Sequence, residues 1–320
     1  MRAMVAQRVD AWLGAPAPAM RLAVLRLVAM GFATGYLVLR LPAFLRLSDL
    51  SPDRFEPVGV MAWVREPLPG ALWTTLVVVT IATGILATAG ARFWATGPAF
   101  ALLLLVTTTY RSSWGQLLWF EALMVLHVII VGMAPSAAVL ALDARRRRSP
   151  SPADDPTFGF PVRLAALVTV LTYVLAGVAK LRIGGADWVA GDTLRNHVAY
   201  SAARLDVLGE APSPLARPFV AARWVGSPLA VAAVAIELSA PLALLGGRLR
   251  TAWVAGAWAM HAAIAGLMFV VFPYPLLLAA FAPLYPLERL VPRRGRRVSF
   301  TPSPPRGGGQ ARTGPAPAPR

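Results

Sequence analysis

The chain has 320 residues, of which 57% are hydrophobic and 14% are charged. Soluble domains carry about a quarter of charged residues, so this composition excludes an ordinary soluble enzyme and indicates an all-α, polytopic integral membrane helix bundle. The formal net charge is +16 and no cysteine occurs, but the arginines stand in short blocks beside apolar segments as in cytoplasmic loops, so we expect no nucleic-acid partner and no disulfide or thiol redox chemistry.

Eight apolar segments follow one another along the chain, and each is predicted to cross the membrane as a helix. They occupy residues 20–41, 71–91, 96–110, 114–135, 161–182, 227–246, 251–271 and 273–291. The first is expected to be an uncleaved helix, because no small-residue cleavage site follows it. The third is short for a full crossing, and Pro283 and Pro286 interrupt the eighth, so the sequence leaves open whether these two cross fully.

The arginine blocks predict the orientation of the chain. "DARRRRSP" and "VPRRGRRV" are separated by four predicted spans, which places both blocks and both termini in the cytoplasm under the positive-inside rule. We therefore expect a multi-pass protein of the inner cell membrane. Its predicted parts are a cytoplasmic segment 1–19, a transmembrane domain 20–291 with a cytoplasmic loop 136–160 and an extracytoplasmic segment 183–226, and a disordered basic tail 292–320. Arginines at the start of that tail are expected to contact anionic lipid head groups.

Five of the ionisable side chains in the apolar segments are candidate functional residues, because a charge in hydrocarbon is costly and indicates a functional role by default. They are Glu121, His127, Lys180, Glu237 and His261. The turn "GGRLRT" joins the segments of Glu237 and His261, so we expect these two at similar depth, either as a structural hydrogen bond or as part of a pocket. Glu121 and His127 do not share a helix face, and His127 is expected to be a satisfied buried histidine. No metal site is expected, because these residues lack ligand spacing.

Lys180 is the only lysine among the 31 Lys and Arg residues. A lysine can lose its proton and act as a base, whereas an arginine stays charged. Tyr173, Gly177 and Lys180 are spaced so that they share one helix face, and Trp188 follows closely enough to cap a pocket. Two roles stay open: a base within a pocket, or a side chain that reaches the membrane interface as an anchor.

Five stretches carry a family resemblance. "YVLAGVAKLRIGGADWVAGDTL" resembles the lysine motif of the vitamin K-dependent gamma-glutamyl carboxylases, and "ELSAPLALL" with "HAAIAGLMFVVFPYPLLLAAFAPLY" resembles their acidic residue, histidine and "FPY" segment. "YRSSWGQLLWFEALMVLH" and "APSAAVLALDARRRR" resemble the bacterial branch, the HTTM (horizontally transferred transmembrane) domain proteins. The resemblance covers about residues 20–291.

The resemblance implies a quinol-dependent enzyme. Lys180 would be the base that deprotonates a reduced quinone, either menaquinol or a hydroquinone like that of vitamin K, with Glu237 and His261 at pocket positions. Oxygenation of that quinol would generate a strong base that removes a carbon-bound proton from a glutamyl side chain, and CO2 would then add. Tyr173, Gly177 and Trp188 are the predicted quinone contacts.

Two departures from the family pattern limit this expectation. The family has a histidine at the position matching Leu117 or its neighbours, but here no histidine occurs before His127. We also expect the 29-residue polar tail in place of the family's large extracytoplasmic domain, so peptide carboxylation is less well supported than quinol chemistry. The alternatives are a non-catalytic quinone- or lipid-binding subunit with a separate redox partner, and a small-solute transporter with Glu237 and His261 as a proton relay. An extracytoplasmic peptide partner also stays open.

Overall fold

The computed structural model describes residues 2–115, 119–146, 154–190 and 192–291. These residues are helical and contain no strand beyond one isolated β-bridge between Ala17 and Asp155. The predicted all-α class is therefore confirmed. The described residues up to Arg289 form one compact unit. The predicted tail 292–320 lies outside the described residues.

Fourteen α-helices run through the described residues. In chain order they are α1 Arg2–Leu13, α2 Ala19–Leu39, α3 Leu41–Leu45, α4 Gly70–Ala89, α5 Phe93–Ser112, α6 Trp119–Gly132, α7 Leu142–Arg146, α8 Pro156–Gly184, α9 Asp187–Ala190, α10 Thr193–Val207, α11 Ala216–Ala221, α12 Arg223–Leu238, α13 Gly247–Met268 and α14 Pro273–Leu276. Short 3-10 helices lie at Arg46–Asp49, Pro52–Arg54, Gly59–Met61, Ala240–Leu245, Ala279–Leu284 and Leu287–Leu290.

Five of these helices, α2, α4, α5, α8 and α13, are long and apolar enough to cross a membrane. The chain is thus a helical integral membrane protein, but the predicted count of eight spans is not confirmed. Helix α12 has 16 residues, which rise only about 24 Å against a hydrocarbon core of about 30 Å. Of the fourth predicted span, the structure describes the helix Trp119–Gly132, and residues 116–118 before it lie outside the described residues. The segment 273–291 is broken into short pieces, because its prolines lack the N–H that a continuous helix requires.

Local signals set several helix ends. Helix α8 begins at Pro156, since Asp155 accepts a hydrogen bond from the backbone N–H of Thr157 at 2.7 Å and proline suits the first helical position. Helix α4 ends at Gly90, whose φ of 68° favours glycine. Helix α5 is longer than the predicted segment 96–110, because the carboxylate of Asp143 caps the backbone N–H of Phe93 at 2.8 Å.

Helices α5 and α6 approach closely at a pair of glycines. A Cβ on Gly132 would lie 2.7 Å from the carbonyl oxygen of Gly97, and a Cβ on Gly97 would lie 2.8 Å from that of Gly132. Such distances are shorter than van der Waals contact. The contacted atoms belong to the backbone, so a change of side-chain rotamer does not relieve the overlap. The two helices therefore pack at this distance only because neither position carries a side chain.

We expect Gly132→Ala to lower the free energy of unfolding by about 1–3 kcal/mol, because the added methyl group overpacks the crossing. Gly35→Ala is the control: Gly35 is also a helical glycine, in α2, and a Cβ there meets no atom within 4 Å, so the variant should be neutral or slightly stabilising. Denaturant unfolding in detergent measures both. Equal stability of the two variants would contradict the close crossing.

Arg21 at the start of α2 forms a salt bridge with Glu288 in the 3-10 helix Leu287–Leu290. Its Nε donates to Glu288 Oε2 at 2.8 Å and its Nη2 donates to Oε1 at 2.7 Å. Glu288 and the beginning of α2 therefore lie at the same end of the bundle. The side of the membrane on which that end lies stays a prediction.

A pH dependence follows from this pair. The hydrogen bonds from Arg21 lower the pKa of Glu288 below its ordinary value. A carboxylate with a lowered folded pKa stabilises the fold above its unfolded pKa and loses that contribution as the pH falls through the folded one. Both side chains are about a quarter exposed, so we expect Glu288→Gln to cost under about 1 kcal/mol at pH 7. The difference from wild type should shrink as the pH falls through the folded pKa of Glu288, and a difference independent of pH would contradict the ion pair.

Candidate functional site

Lys180 and Glu237 form an ion pair between α8 and α12. The ammonium of Lys180 donates to Oε1 of Glu237. The side chain of Glu237 is 6% exposed and that of Lys180 is 25% exposed. Gly177 makes the approach of the two helices possible, because a Cβ there would lie 3.0 Å from the Cβ of Glu237 and from a methyl group of Leu238.

Tyr173 and His261 form a second polar contact on the same face of α8. The hydroxyl of Tyr173 lies 2.7 Å from Nε2 of His261, and both residues are buried. Trp253 packs edge-on against the ring of Tyr173, and Phe272 lies 5.1 Å from the ring of His261. This contact is therefore enclosed by aromatic side chains of α13 and the segment that follows it.

Of the two roles left open for Glu237 and His261, a mutual hydrogen bond is not the one that the structure shows. Each residue has its partner on α8 instead, and Oε2 of Glu237 and Nδ1 of His261 have no hydrogen-bond partner. Glu237 is the penultimate residue of α12, which ends at Leu238. Pro241 lies in the 3-10 helix that follows, and a proline cannot continue the α-helical hydrogen bonding. The end of α12 thus turns Glu237 toward α8.

Trp188 lies beside this ion pair, as the sequence predicts for a capping residue. The Nζ of Lys180 is 5.5 Å from the centre of its ring, a distance typical of a cation–π contact. Its indole Nε1 is buried without a hydrogen-bond partner, as are Glu237 Oε2 and His261 Nδ1. Unsatisfied buried polar atoms are costly, and three such atoms belong to residues grouped around Lys180 and Tyr173. This group offers one indole donor, one carboxylate acceptor and one imidazole nitrogen to a bound molecule.

No known protein family, curated protein or solved structure matches this chain. The resemblance to the HTTM proteins and the gamma-glutamyl carboxylases therefore stays a prediction. The position matching the family histidine, near Leu117, lies outside the described residues.

His127 is fully buried at the junction of α6, α8 and α14. Its Nδ1 lies 2.8 Å from the hydroxyl of Tyr274, and its Nε2 lies 3.1 Å from the carbonyl oxygen of Ala165 and 3.0 Å from the hydroxyl of Thr169. Both ring nitrogens thus have partners, as expected for a satisfied core histidine. Within the described residues no group of three or more His, Asp or Glu side chains could hold a metal ion.

Glu121 belongs to a separate cluster that includes two residues the sequence reasoning missed. Its Oε1 accepts from the hydroxyl of Tyr36 and from Nη1 of Arg111 at 3.1 Å. Arg111 is only 9% exposed, although the sequence placed it just beyond the third predicted span. One sequence signal could have identified Arg111. A buried carboxylate such as that of Glu121 requires a cation nearby, and Arg111 lies only ten residues before it, at the end of an apolar segment.

Proposed function

We propose that this integral membrane protein binds a reduced quinone at Lys180 and removes a proton from one quinol hydroxyl. The observation that carries this proposal is the group of three unpartnered buried atoms around the Lys180–Glu237 ion pair. A hydroquinone has two hydroxyl groups, each a donor and an acceptor, so it can satisfy a carboxylate oxygen and an indole N–H together. Its ring is apolar and suits the aromatic side chains that enclose the site.

The ion pair supplies the base. Transfer of one proton from Nζ of Lys180 to Oε1 of Glu237 across their hydrogen bond leaves a neutral amine beside a neutral carboxylic acid. The amine can then accept the proton of a hydroxyl placed against it, while the indole Nε1 of Trp188 donates to an oxygen of the bound molecule. General-base catalysis of this kind contributes about 10²–10⁴-fold to a rate. An arginine cannot take this role because it does not give up its proton.

Tyr173 and His261 position the second half of the bound ring. Their mutual hydrogen bond uses Nε2 of His261, so Nδ1 is the nitrogen left to contact a ligand oxygen. The tautomer of His261 depends on the ligand. When the hydroxyl of Tyr173 donates to Nε2, the proton is on Nδ1, which donates to the ligand; in the other tautomer Nδ1 accepts from it. The pair therefore adapts to either a hydroxyl or a carbonyl at that end of the ring.

The resemblance described above supports a quinol-dependent, carboxylase-like activity. The arginine blocks support an inner-membrane location with both termini in the cytoplasm. A non-catalytic quinone-binding subunit would use the same contacts without turnover. The proton-relay transporter has lost its motivating observation, because Glu237 and His261 do not share a hydrogen bond. Membrane lipids would surround the helices in either case.

Anaerobic binding of menaquinol to the protein in nanodiscs tests the site. We expect saturable binding by wild type and about tenfold weaker binding by Trp188→Phe, which loses one hydrogen-bond donor. Arg182→Ala is the matched control, because Arg182 is an exposed cation two residues from Lys180. Absent binding by wild type, or equal loss in Arg182→Ala and Trp188→Phe, would overturn the assignment.

A further inference from the structure

A second candidate binding site lies far along the chain from Lys180, in a groove between α5, α6 and the 3-10 helix Gly59–Met61. The groove has a volume of about 370 Å³, which falls within the range of small-molecule sites. Its walls are largely aliphatic, with Glu121 as their ionisable residue and Thr108, Thr109 and Ser112 as their other polar residues. Ala122 and Leu126 on its rim are exposed, so in a membrane the groove opens toward lipid.

Glu121 is the feature that marks this groove as a built site. The residue is 2% exposed, and its Oε1 already accepts two hydrogen bonds, from Tyr36 and Arg111. Its Oε2 has no hydrogen-bond partner. A buried carboxylate oxygen without a donor is costly, and Glu121 is one of the residues that line the groove.

We propose that this groove binds a neutral, membrane-dissolved lipid alcohol, whose hydroxyl group donates to Oε2 of Glu121. The charge balance selects the class of ligand. Arg111 already neutralises the carboxylate, so a cationic ligand would add an uncompensated charge in an apolar environment, and an anionic ligand would be repelled by Glu121. A neutral hydroxyl supplies the missing donor, and its apolar chain covers the aliphatic walls.

The hydrogen bonds around Glu121 allow a specificity reversal to be predicted. Tyr36 and Arg111 both donate to Oε1, so in Glu121→Gln the amide oxygen must remain at that position. The NH2 group then replaces Oε2, and the acceptor that serves the groove becomes a donor. The variant should therefore prefer a ligand whose oxygen only accepts.

Equilibrium binding of farnesol, farnesyl methyl ether and farnesylamine to the protein in nanodiscs tests this proposal. Wild type should bind farnesol at least about tenfold more tightly than the ether or the amine, since one lost or unsatisfied hydrogen bond corresponds to about this factor. Glu121→Gln should bind the ether more tightly than farnesol. Equal binding of all three probes by wild type, or an unchanged preference for farnesol in Glu121→Gln, would overturn the proposal.

A steric variant keeps the test decisive if Glu121→Gln fails to fold. Ala122→Trp fills the groove from an exposed position and should abolish farnesol binding, whereas Leu102→Trp, at an exposed position of α5 outside the groove, should not. Equal farnesol binding by these two variants would contradict the proposal. Lys180→Arg should bind farnesol like wild type, which separates this groove from the quinol site.

Discussion

Replacement of Arg111 by methionine is expected to lower the free energy of unfolding by about 3–5 kcal/mol. The side chains of Arg111 and Glu121 are 10% and 3% exposed, so removal of the cation leaves an uncompensated carboxylate in the bundle. Tyr36 alone would remain to donate to it. Denaturant unfolding in detergent measures the loss.

The double variant Arg111→Met with Glu121→Leu should recover most of this loss, because an apolar pair of similar volume avoids the desolvation of both charges. Arg195→Ala is the surface control: its partner Asp192 is 56% exposed, and such pairs contribute about 0.2–1 kcal/mol. A double variant as unstable as Arg111→Met would show that the charge is not the cause, and would contradict the account of this cluster.

Replacement of Lys180 should separate stability from activity. Lys180→Met should lower the free energy of unfolding by about 2–3 kcal/mol. This is less than for a fully buried pair, because the side chain of Lys180 is 25% exposed. Lys180→Arg keeps the charge beside Glu237 and should cost under about 1 kcal/mol. The same Lys180→Arg substitution should lower the rate of quinol deprotonation by about 10²-fold or more, because arginine does not act as a base.

Lys180→Met with Glu237→Leu is the control for the stability part of this prediction. It should be more stable than Lys180→Met alone, since no unpaired carboxylate remains, and it should be inactive. If Lys180→Arg were as destabilising as Lys180→Met, the lysine would serve packing or a specific hydrogen-bond geometry rather than charge balance.

The helix class and the approximate location of the site could be predicted from sequence. The apolar segments predict the five long helices, and the spacing of Tyr173, Gly177 and Lys180 predicts their common face toward other helices. The short turn before α13 brings Glu237 and His261 into one region. These are consequences of helix periodicity and of antiparallel neighbours, which a sequence displays directly.

The pairing of side chains could not be predicted in the same way, because it depends on where helices end and how they cross. Because α12 ends at Leu238, Glu237 pairs with Lys180. His261 forms its hydrogen bond with Tyr173 instead. Arg26 shows the same limit: it is fully buried within α2 and donates to the carbonyl oxygens of Ser136 and Leu140. Partners more than a hundred residues away carry no local signal.

The three spans that are not confirmed have a related cause. Hydropathy counts apolar residues but not interruptions of the backbone, and in the segment 273–291 the prolines prevent a continuous helix. That segment nevertheless lies against the bundle, since Tyr274 and Phe281 are fully buried or nearly so. Apolar composition therefore indicates burial there, whereas the prolines, which left a full crossing open, prevent a continuous helix.

Aerobic turnover of menaquinol in nanodiscs tests the central claim most directly, with the quinone epoxide measured by mass spectrometry. A base at Lys180 predicts epoxide from wild type and from Arg182→Ala, and none above background from Lys180→Arg or Lys180→Met. Wild-type amounts of epoxide from Lys180→Arg would contradict the role of Lys180 as the base. Absence of epoxide from wild type that binds menaquinol would contradict the enzyme and favour the non-catalytic quinone-binding subunit.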